Sequence, residues 1–394
     1  MLECEYIKFA FRLNKHLPGL VDSYFGPEHL SKQVEQEPVI PLIELREQLQ
    51  TLLRGTKEVQ EEIRRIYFIK QLDALEVLLE DKLGTKLLFE DLVARLFDLS
   101  VLPVPDSILK ELRSEIIWLL PTRLKSSYLD AVQDWEKERQ IDGQQVFIFL
   151  NNLLEEYRQR TRRFINLPRD EQVVLKAVSA KPWPAYNRYG RGASSSIEIN
   201  TDRKRTKYEL ATMLAHETYP GHHTELSIKE NLTYKRNKCL EVSIQLLNTP
   251  MCVISEGIAD CGFKFLEEIE PLGFADEQDK LLAEKLATLR MAAWVNAVFQ
   301  LHLQNEPPEV VAKYLHENSL MPIQRARDSL NFHLQPLTRV YALTYWWGRK
   351  LVWDSYLDAK NLNRSRDFFA VLYSLPLCPT TLATLSREMI VDAG

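Results

Sequence analysis

The sequence predicts a mainly α-helical protein with one small β-sheet near its middle. The first reason is composition, because 13 glycines among 394 residues are few for a turn-rich β protein and are well tolerated by long helices. The second reason is that apolar residues recur at three- and four-residue spacing along most of the chain. The third reason is that apolar and polar residues alternate over one short segment, Ser196 to Asn200.

The first part of the chain has the periodicity of amphipathic helices. Pro103 and Pro105 interrupt this pattern, and Asp106 is placed to cap the helix that follows them. The expected helical segments are residues 41–101, 107–120 and 143–164. We therefore predict a helical N-terminal subdomain over residues 1–168.

The second part of the chain predicts a strand followed by further helices. The alternation in Ser196–Asn200 is the period-2 signature of a half-buried strand. Helical periodicity returns after Thr201 and holds nearly to the end of the sequence. The expected helices cover residues 207–219, 225–235, 252–269, 276–304, 309–318, 322–333, 337–357 and 366–373. We predict that residues 169–394 form a second subdomain and that residues 1–394 form a single domain.

The charge balance and the apolar segments argue against two classes of partner. With 50 basic and 55 acidic residues the net charge is -5, so no domain-wide basic field is available to bind nucleic acid. The longest apolar stretch is cut by Glu284, Lys285 and Arg290, so no membrane span is expected. The first twenty residues carry charges that a secretory signal lacks, and the 5 cysteines form no C-x-x-C pair. These features predict a cytoplasmic protein with free thiols.

Three of the 8 histidines lie together in the stretch His216 to His223, which reads His-Glu-Thr-Tyr-Pro-Gly-His-His. A His-Glu pair on a helix, followed by another histidine, is how zinc hydrolases hold a metal and keep a carboxylate beside its bound water. In the common H-E-x-x-H spacing the second histidine stands four positions after the first. Here that position is Pro220, so the usual helical pair cannot form.

The proline and the glycine after it decide which histidine could be the second ligand. In an unbroken helix His222 would lie about 120° around the axis from His216, and His223 would lie about 10 Å along it. Pro220 and Gly221 allow the helix to bulge or stop, which would return His222 to the metal. We favour His222 as the second ligand. His223 remains either the ligand in an alternative register or a donor to the substrate.

A third ligand is expected from the segment Ser255 to Asp260. Glu256 and Asp260 stand four positions apart, so Glu256 could bind the metal while Asp260 accepts the outer N–H of a ligand histidine. Two histidines and one glutamate leave a fourth position for water on Zn²⁺. Glu217 is then placed to take the proton of that water as the general base.

The motif resembles the bacterial domain of unknown function 885 family, a group similar to gluzincin metallopeptidases. The resemblance rests on the motif stretch with Glu-Gly-x-Ala downstream, and it extends to residues 17–27, 197–202 and 342–348. It implies a multi-helical, zincin-like metallopeptidase fold with a small sheet beside the motif helix. It also implies a zinc site at His216, His222 and Glu256 with Glu217 as base, which makes residues 169–394 the metal-site subdomain. The resemblance implies no particular substrate.

Residues outside the motif are candidates for binding substrate. Tyr345, or alternatively Tyr341, could donate its hydroxyl to a tetrahedral oxyanion. The strand Ser196–Asn200 could pair with an extended substrate backbone, or it could simply cover the core. Guanidinium groups match a substrate carboxylate in a two-pronged bond, and the candidates are Arg325, Arg327 and Arg339.

The sequence therefore predicts a zinc-dependent hydrolase of peptide or amide bonds that acts on small substrates. One alternative is a metal-dependent hydrolase of a non-peptide amide or ester. Another is a metal- or ligand-binding protein without catalysis, although a pure binding site would have no use for Glu217 as a base.

Overall fold

The computed structural model describes residues 1–121, 127–181 and 183–391. Over these residues the protein is mainly helical, as the sequence predicts. The helices before the main sheet are α1 (Leu2–Asn14), α2 (Glu28–Gln36), α3 (Leu42–Gly55), α4 (Glu62–Lys82), α5 (Phe89–Phe97), α6 (Asp106–Leu119), α7 (Tyr128–Arg139) and α8 (Gln144–Thr161). The helices after it are α9 (Lys207–Glu217), α10 (His222–Ile228), α11 (Pro250–Ile269), α12 (Glu277–His302), α13 (Pro308–Ser319), α14 (Ile323–His333), α15 (Ala342–Asn361), α16 (Ser365–Ser374) and α17 (Pro379–Val391). No helix within these ranges is both long enough and apolar enough to cross a membrane.

The strands form a small sheet and two short ribbons. They are β1 (Val21–Tyr24), β2 (Gln140–Ile141), β3 (Gln172–Val178), β4 (Ala185–Gly190), β5 (Ser194–Asn200), β6 (Arg205–Thr206) and β7 (Ile244–Leu246). The three-stranded sheet has the order β3-β5-β4, in which β5 is parallel to β3 and antiparallel to β4. The antiparallel ribbons pair β1 with β7 and β2 with β6. A π-helix over Lys229–Arg236 continues α10.

Some elements differ from those that the sequence predicts. The structure adds α1, α2, α7 and α17, and α2 buries only Leu30 and Val34, so its apolar stripe is too narrow to stand out in the sequence. Asp106 lies in the first turn of α6, whose N-cap is Pro105. The expected strand Ser196–Asn200 lies within β5, at the centre of its sheet.

The apolar core fixes the helix that carries the histidine motif. The buried face of α9, formed by Leu210, Ala211 and Leu214, packs in one cluster with Leu150 of α8 and Ile197 of β5. A second cluster joins α11, α15 and α16, and the largest cluster contains residues from both sides of position 168. The motif helix is thus held between the sheet on one side and α11 on the other.

Helices α11 and α15 approach each other closely because each presents a glycine at the contact. A Cβ added to Gly257 would lie 2.5 Å from the carbonyl oxygen of Gly348, and a Cβ added to Gly348 would meet the carbonyl oxygen of Val253. In both cases the added Cβ would lie closer to a backbone atom than van der Waals contact allows, and backbone cannot move aside as a flexible side chain does. The two glycines therefore set the distance between these helices.

We expect Gly348→Ala to destabilise the protein by about 1–3 kcal/mol, the usual cost of forcing an extra methyl group into a packed core. The free energy of unfolding in urea measures this loss, and Gly273→Ala is the matched control because nothing lies within 4 Å of a Cβ at Gly273. An unchanged unfolding midpoint for Gly348→Ala would contradict the close packing of α11 and α15.

Candidate metal centre

The motif helix α9 begins with a complete capping box. The Thr206 side chain accepts the amide N–H of Glu209, and the Glu209 carboxylate accepts the amide N–H of Thr206. These two bonds satisfy backbone groups that the first turn would otherwise leave without partners. The start of α9 is therefore fixed, which fixes the positions of His216 and Glu217 in its last turn.

The helix ends where the motif departs from the common spacing. The last helical residue is Glu217, and Thr218 has non-helical dihedral angles of φ -120° and ψ -99°. The amide of Gly221 reaches back to the carbonyl of Ala215, and any Cβ on Gly221 would collide with the carbonyl of His216. Only glycine fits this turn, after which α10 begins directly at His222.

This break brings His216, His222 and Glu256 together. One ligand atom from each residue lies within 4.8 Å of the others. Glu256 Oε2 is 3.3 Å from His216 Nε2 and 3.7 Å from His222 Nε2, and the two imidazole rings are perpendicular with centroids 4.7 Å apart. Glu256 Oε2 is buried and accepts no hydrogen bond. Such an orphaned carboxylate oxygen facing two imidazole nitrogens has the chemistry of a metal ligand.

Each histidine of the cluster is oriented through its other ring nitrogen. Asp260 Oδ1 lies 2.8 Å from His216 Nδ1, so His216 is the histidine that Asp260 contacts. Ser255 Oγ lies 3.2 Å from His222 Nδ1 and donates a hydrogen bond of 2.6 Å to Glu225 Oε2. With Nδ1 engaged in this way, each ring turns its Nε2 toward Glu256, which is the orientation that metal-binding histidines require.

In this cluster, burial and the neighbouring charged groups shift the pKa values of the side chains in opposite directions. Burial lowers the pKa of His216, but its contacts with Asp260 and Glu256 outweigh this effect and hold the pKa well above its usual value. Burial would raise the pKa of Glu256, yet the two histidines lower it below its usual value. Burial also raises the pKa of Glu217, whose carboxylate lies within electrostatic range of His216, His222 and Glu256. The cluster thus concentrates charge in a site of low solvent access.

The two tyrosines that the sequence offers as donors to an oxyanion, Tyr341 and Tyr345, both lie beside the cluster but have different contacts. The Tyr341 hydroxyl donates a hydrogen bond of 2.7 Å to Glu256 Oε1, which leaves Oε2 as the oxygen that faces the histidines. The Tyr345 ring lies 6.4 Å from the His216 ring and 5.7 Å from the Tyr341 ring, centroid to centroid. Tyr345 is therefore the tyrosine of the two whose hydroxyl is not committed to Glu256.

His223 does not join the cluster. It is fully buried, its Nδ1 lies 2.8 Å from Ser195 Oγ, and its Nε2 lies 3.2 Å from Glu171 Oε2. Glu171 also accepts hydrogen bonds from the side chains of Tyr219 and Arg158. Because both ring nitrogens are engaged in this buried network, the structure leaves His223 neither as a metal ligand nor as a donor to substrate.

The sheet meets the site through a different strand from the expected one. Because β5 is paired on both sides, Ser196–Asn200 has no free edge to offer a substrate backbone. The strand beside the motif is β4, at the outside of the sheet, and its Asn187 side chain donates a hydrogen bond of 2.9 Å to the carbonyl of Glu217. Of the two roles left open for Ser196–Asn200, pairing with a substrate backbone is therefore wrong and covering the core is the one that the structure shows.

The three candidate arginines have separate surroundings. Arg327 pairs with Glu309 at the surface, and Arg339 pairs with Asp81 of the N-terminal part. Arg325 lies near the start of the motif helix, 3.5 Å from Glu209. Only Arg325 of the three thus contacts the helix that carries the histidines.

Sequence reasoning missed Glu225 and Ser255, which support His222. Glu225 is fully buried, and Lys229 and His222 lower its pKa to about 2 against the opposing effect of burial. The signal in the sequence was weak, because Glu225 stands three positions after His222 and Ser255 directly precedes Glu256. Neither spacing is distinctive until α10 and α11 are known to pack together.

We expect Asp260→Asn to weaken zinc binding by about 10- to 100-fold, because the amide accepts the His216 N–H less strongly than a carboxylate does. Titration of metal-free protein against a competing chelator measures the affinity. Asp354→Asn is the control, since Asp354 forms an exposed pair with Lys350 on α15. Equal zinc affinity for Asp260→Asn and the unsubstituted chain would show that Asp260 does not support the ligand.

Comparison with known proteins gives likenesses of fold alone. No protein family and no curated protein matches the chain in sequence. A "putative lipoprotein" from Colwellia psychrerythraea superimposes with a TM-score of 0.61 at 14% identity over 92% of this chain. A "putative lipoprotein of unknown function" from Shewanella oneidensis superimposes with a TM-score of 0.55 at 12% identity over 89% of it. The chain spans 65% of the length of the first protein and 72% of the second.

Proposed function

We propose that the protein is a zinc-dependent hydrolase of peptide or amide bonds in small substrates. The observation that carries the proposal is the convergence of His216 Nε2, His222 Nε2 and Glu256 Oε2, with Glu217 next to His216. A zincin-like metallopeptidase fold and a single domain over residues 1–394 belong to the same proposal. So does a reducing, cytoplasmic location, which the free thiols of all five cysteines support.

The residues present fit zinc. Two neutral imidazole nitrogens and one carboxylate oxygen are the ligand set of many catalytic zinc sites, and three protein ligands leave a position for water. The buried Oε2 of Glu256 has no hydrogen-bond donor of its own, which a cation would compensate. The supporting contacts from Asp260 and Ser255 hold the rings as zinc ligands are held elsewhere.

When bound, zinc would supply a water of lowered pKa and a Lewis acid for the substrate carbonyl. Glu217 takes the proton of the attacking water on its carboxylate and returns it to the leaving amine. Burial raises the pKa of the Glu217 carboxyl group. The protonated and ionised forms of Glu217 therefore lie closer in free energy, which suits a group that must both accept and return a proton. Tyr345, with its hydroxyl free of Glu256, is the candidate donor to the oxyanion.

The preference for peptides over other amides is supported by β4. This outer strand contacts α9 and α10, and Asn187 ties it directly to the backbone of Glu217. A peptide in extended conformation could add to the outside of such a strand and carry a scissile amide to the base. A hydrolase of small non-peptide amides would gain nothing from this arrangement.

Hydrolysis of a mixed library of short peptides by the purified, zinc-loaded chain tests the proposal. We expect turnover that a chelator abolishes and that added Zn²⁺ restores, with about one zinc bound per chain. Turnover confined to ester or non-peptide amide probes would replace the peptidase with the alternative hydrolase. Bound zinc without any turnover would leave a metal-binding protein, and a chain that binds no zinc would refute the proposal.

A further inference from the structure

A group of arginines surrounds the start of the motif helix, away from the histidines. It draws its members from the loop before β6, from β6 itself, from α12 and from α14: Arg203, Arg205, Arg290 and Arg325. Within the part of the chain that the structure describes, the carboxylates that contact these guanidinium groups are Glu136 of α7 and Glu209 of α9. Among the described side chains, the four guanidinium groups thus have two contacting carboxylates between them.

The two most buried members of the group, Arg290 and Arg205, are held by contacts within the protein. Arg290 is 7% exposed and pairs with Glu136 at 2.6 Å, and its Nε finds no acceptor. Arg205 is 9% exposed and donates to the backbone carbonyls of Asn200 and Arg203, without a carboxylate among the described side chains. Arg290 is therefore compensated by Glu136, whereas Arg205 is buried without a contacting carboxylate among the described side chains, which is costly unless an anion lies nearby.

Arg325 and Arg203 are the members of the group whose contacts with carboxylates are all long. The contacts of Arg325 with Glu136 and Glu209 are both long, at 3.5 Å, because Arg290 already holds Glu136 and the capping box holds Glu209. Its side chain is 24% exposed, so a ligand in solution can reach it. Burial, and after it the nearby positive charges of Arg290 and Arg203, lower the pKa of Arg325 to about 10 against the opposing effect of the two carboxylates.

The arginine group lies in line with the metal centre. Glu209 and His216 stand seven positions apart on α9, which places them on the same helix face and roughly 10 Å apart along the axis. Thr212 and Met213, between them on this face, are partly exposed, whereas the opposite face is buried. A partly open stripe of the motif helix therefore runs from the arginines to the cluster of His216, His222 and Glu256.

We propose that Arg325, assisted by Arg203, binds the C-terminal carboxylate of a peptide whose scissile bond lies at the metal centre. An extended residue spans about 3.3–3.6 Å, so roughly 10 Å corresponds to about three residues on the carboxyl side of the cut. This inference rests on the proposed function and adds its substrate class, short peptides with a free carboxyl terminus. The planar guanidinium can hold that carboxylate in a two-pronged bond.

Calorimetric binding of N-acetyl-tetra-alanine and of its C-terminal amide tests the inference. The protein is the zinc-loaded Glu217→Gln variant, so that binding is measured without turnover. We expect the free acid to bind at least about 10-fold more tightly than the amide, as a charge-assisted pair would require. In this variant the arginines are unchanged, so equal affinities for the acid and the amide, or no detectable binding of the acid, would overturn the inference.

Substitution of the arginine identifies the group responsible. Arg325→Met, made in the same background, should bind the acid and the amide equally, whereas Arg327→Met on the same helix should keep the difference. A preference for the acid that survives Arg325→Met would overturn the assignment to Arg325. Inorganic phosphate is the third probe, and tight phosphate binding without an acid preference would show a phosphate site instead. The comparison of acid and amide is repeated on metal-free protein, where the carboxylate preference does not depend on zinc. A failure of the zinc proposal is thereby distinguished from a failure of the arginine site.

Discussion

Glu217→Gln should abolish hydrolysis while the protein still binds about one zinc per chain. Glutamine has the shape of glutamate but cannot take a proton from water, and positioned general bases contribute about 10²- to 10⁴-fold to rate. The ligand atoms of His216, His222 and Glu256 are untouched by the change. We therefore expect kcat to fall by about 10²- to 10⁴-fold, with the metal content unchanged.

Elemental analysis and initial rates on the same preparation measure the two quantities together. Glu268→Gln is the matched control, because Glu268 forms an exposed pair with Lys360 and lies on α11, away from the ligand Glu256. A Glu217→Gln protein that retained the rate of the unsubstituted chain would remove Glu217 from the role of base. Loss of zinc in that variant would mean that Glu217 supports the metal rather than the reaction.

Glu256→Ala should deprive the chain of its zinc. The substitution removes the carboxylate oxygen that faces both histidines and also leaves the Tyr341 hydroxyl without its acceptor. Loss of a group that only supports a metal ligand lowers the affinity by about 10- to 100-fold. Because Glu256 is itself a ligand in our proposal, we expect a larger fall in zinc affinity, and activity should fall with it.

Zinc content after dialysis against a weak chelator is the measurement, with circular dichroism to show that the helices persist. Glu268→Ala serves as the control on the same helix, since its side chain is exposed. A Glu256→Ala protein that keeps one zinc per chain would show that the ion is bound elsewhere. His216→Ala should reproduce the loss, because it removes a second ligand of the same cluster.

The part of the site that could be predicted from the sequence is the part in which contacts are local. Glu256 and Asp260 are neighbours on one helix, and the Pro-Gly pair marks the point where α9 must end. That Asp260 lies beside the ligand Glu256, where it can support a ligand histidine, follows from this spacing, whereas the structure identifies that histidine as His216. Helical periodicity likewise indicates most of the helices that bury a broad apolar face.

The rest depends on contacts between distant segments that no spacing encodes. Tyr341, not Tyr345, bonds to Glu256, because α15 packs on α11 in the register that Gly257 and Gly348 allow. His223 lies one residue after a candidate ligand yet points into a network with Glu171 and Ser195. The direction of a side chain after a helix break cannot be deduced from residue counts.

The histidines, Glu256 and Asp260 all come from one continuous stretch of chain, since His216 and Asp260 are only 44 positions apart. Tyr341 reaches Glu256 from 85 positions further on. Because the chain is synthesised from its N-terminus, the segment that holds the ligands is made before Tyr341 and the helices that follow it. An ion captured at that stage would act as a cross-link among α9, α10 and α11. With zinc bound as we propose, the metal centre would therefore form before the fold is complete, and Tyr341 would join it afterwards.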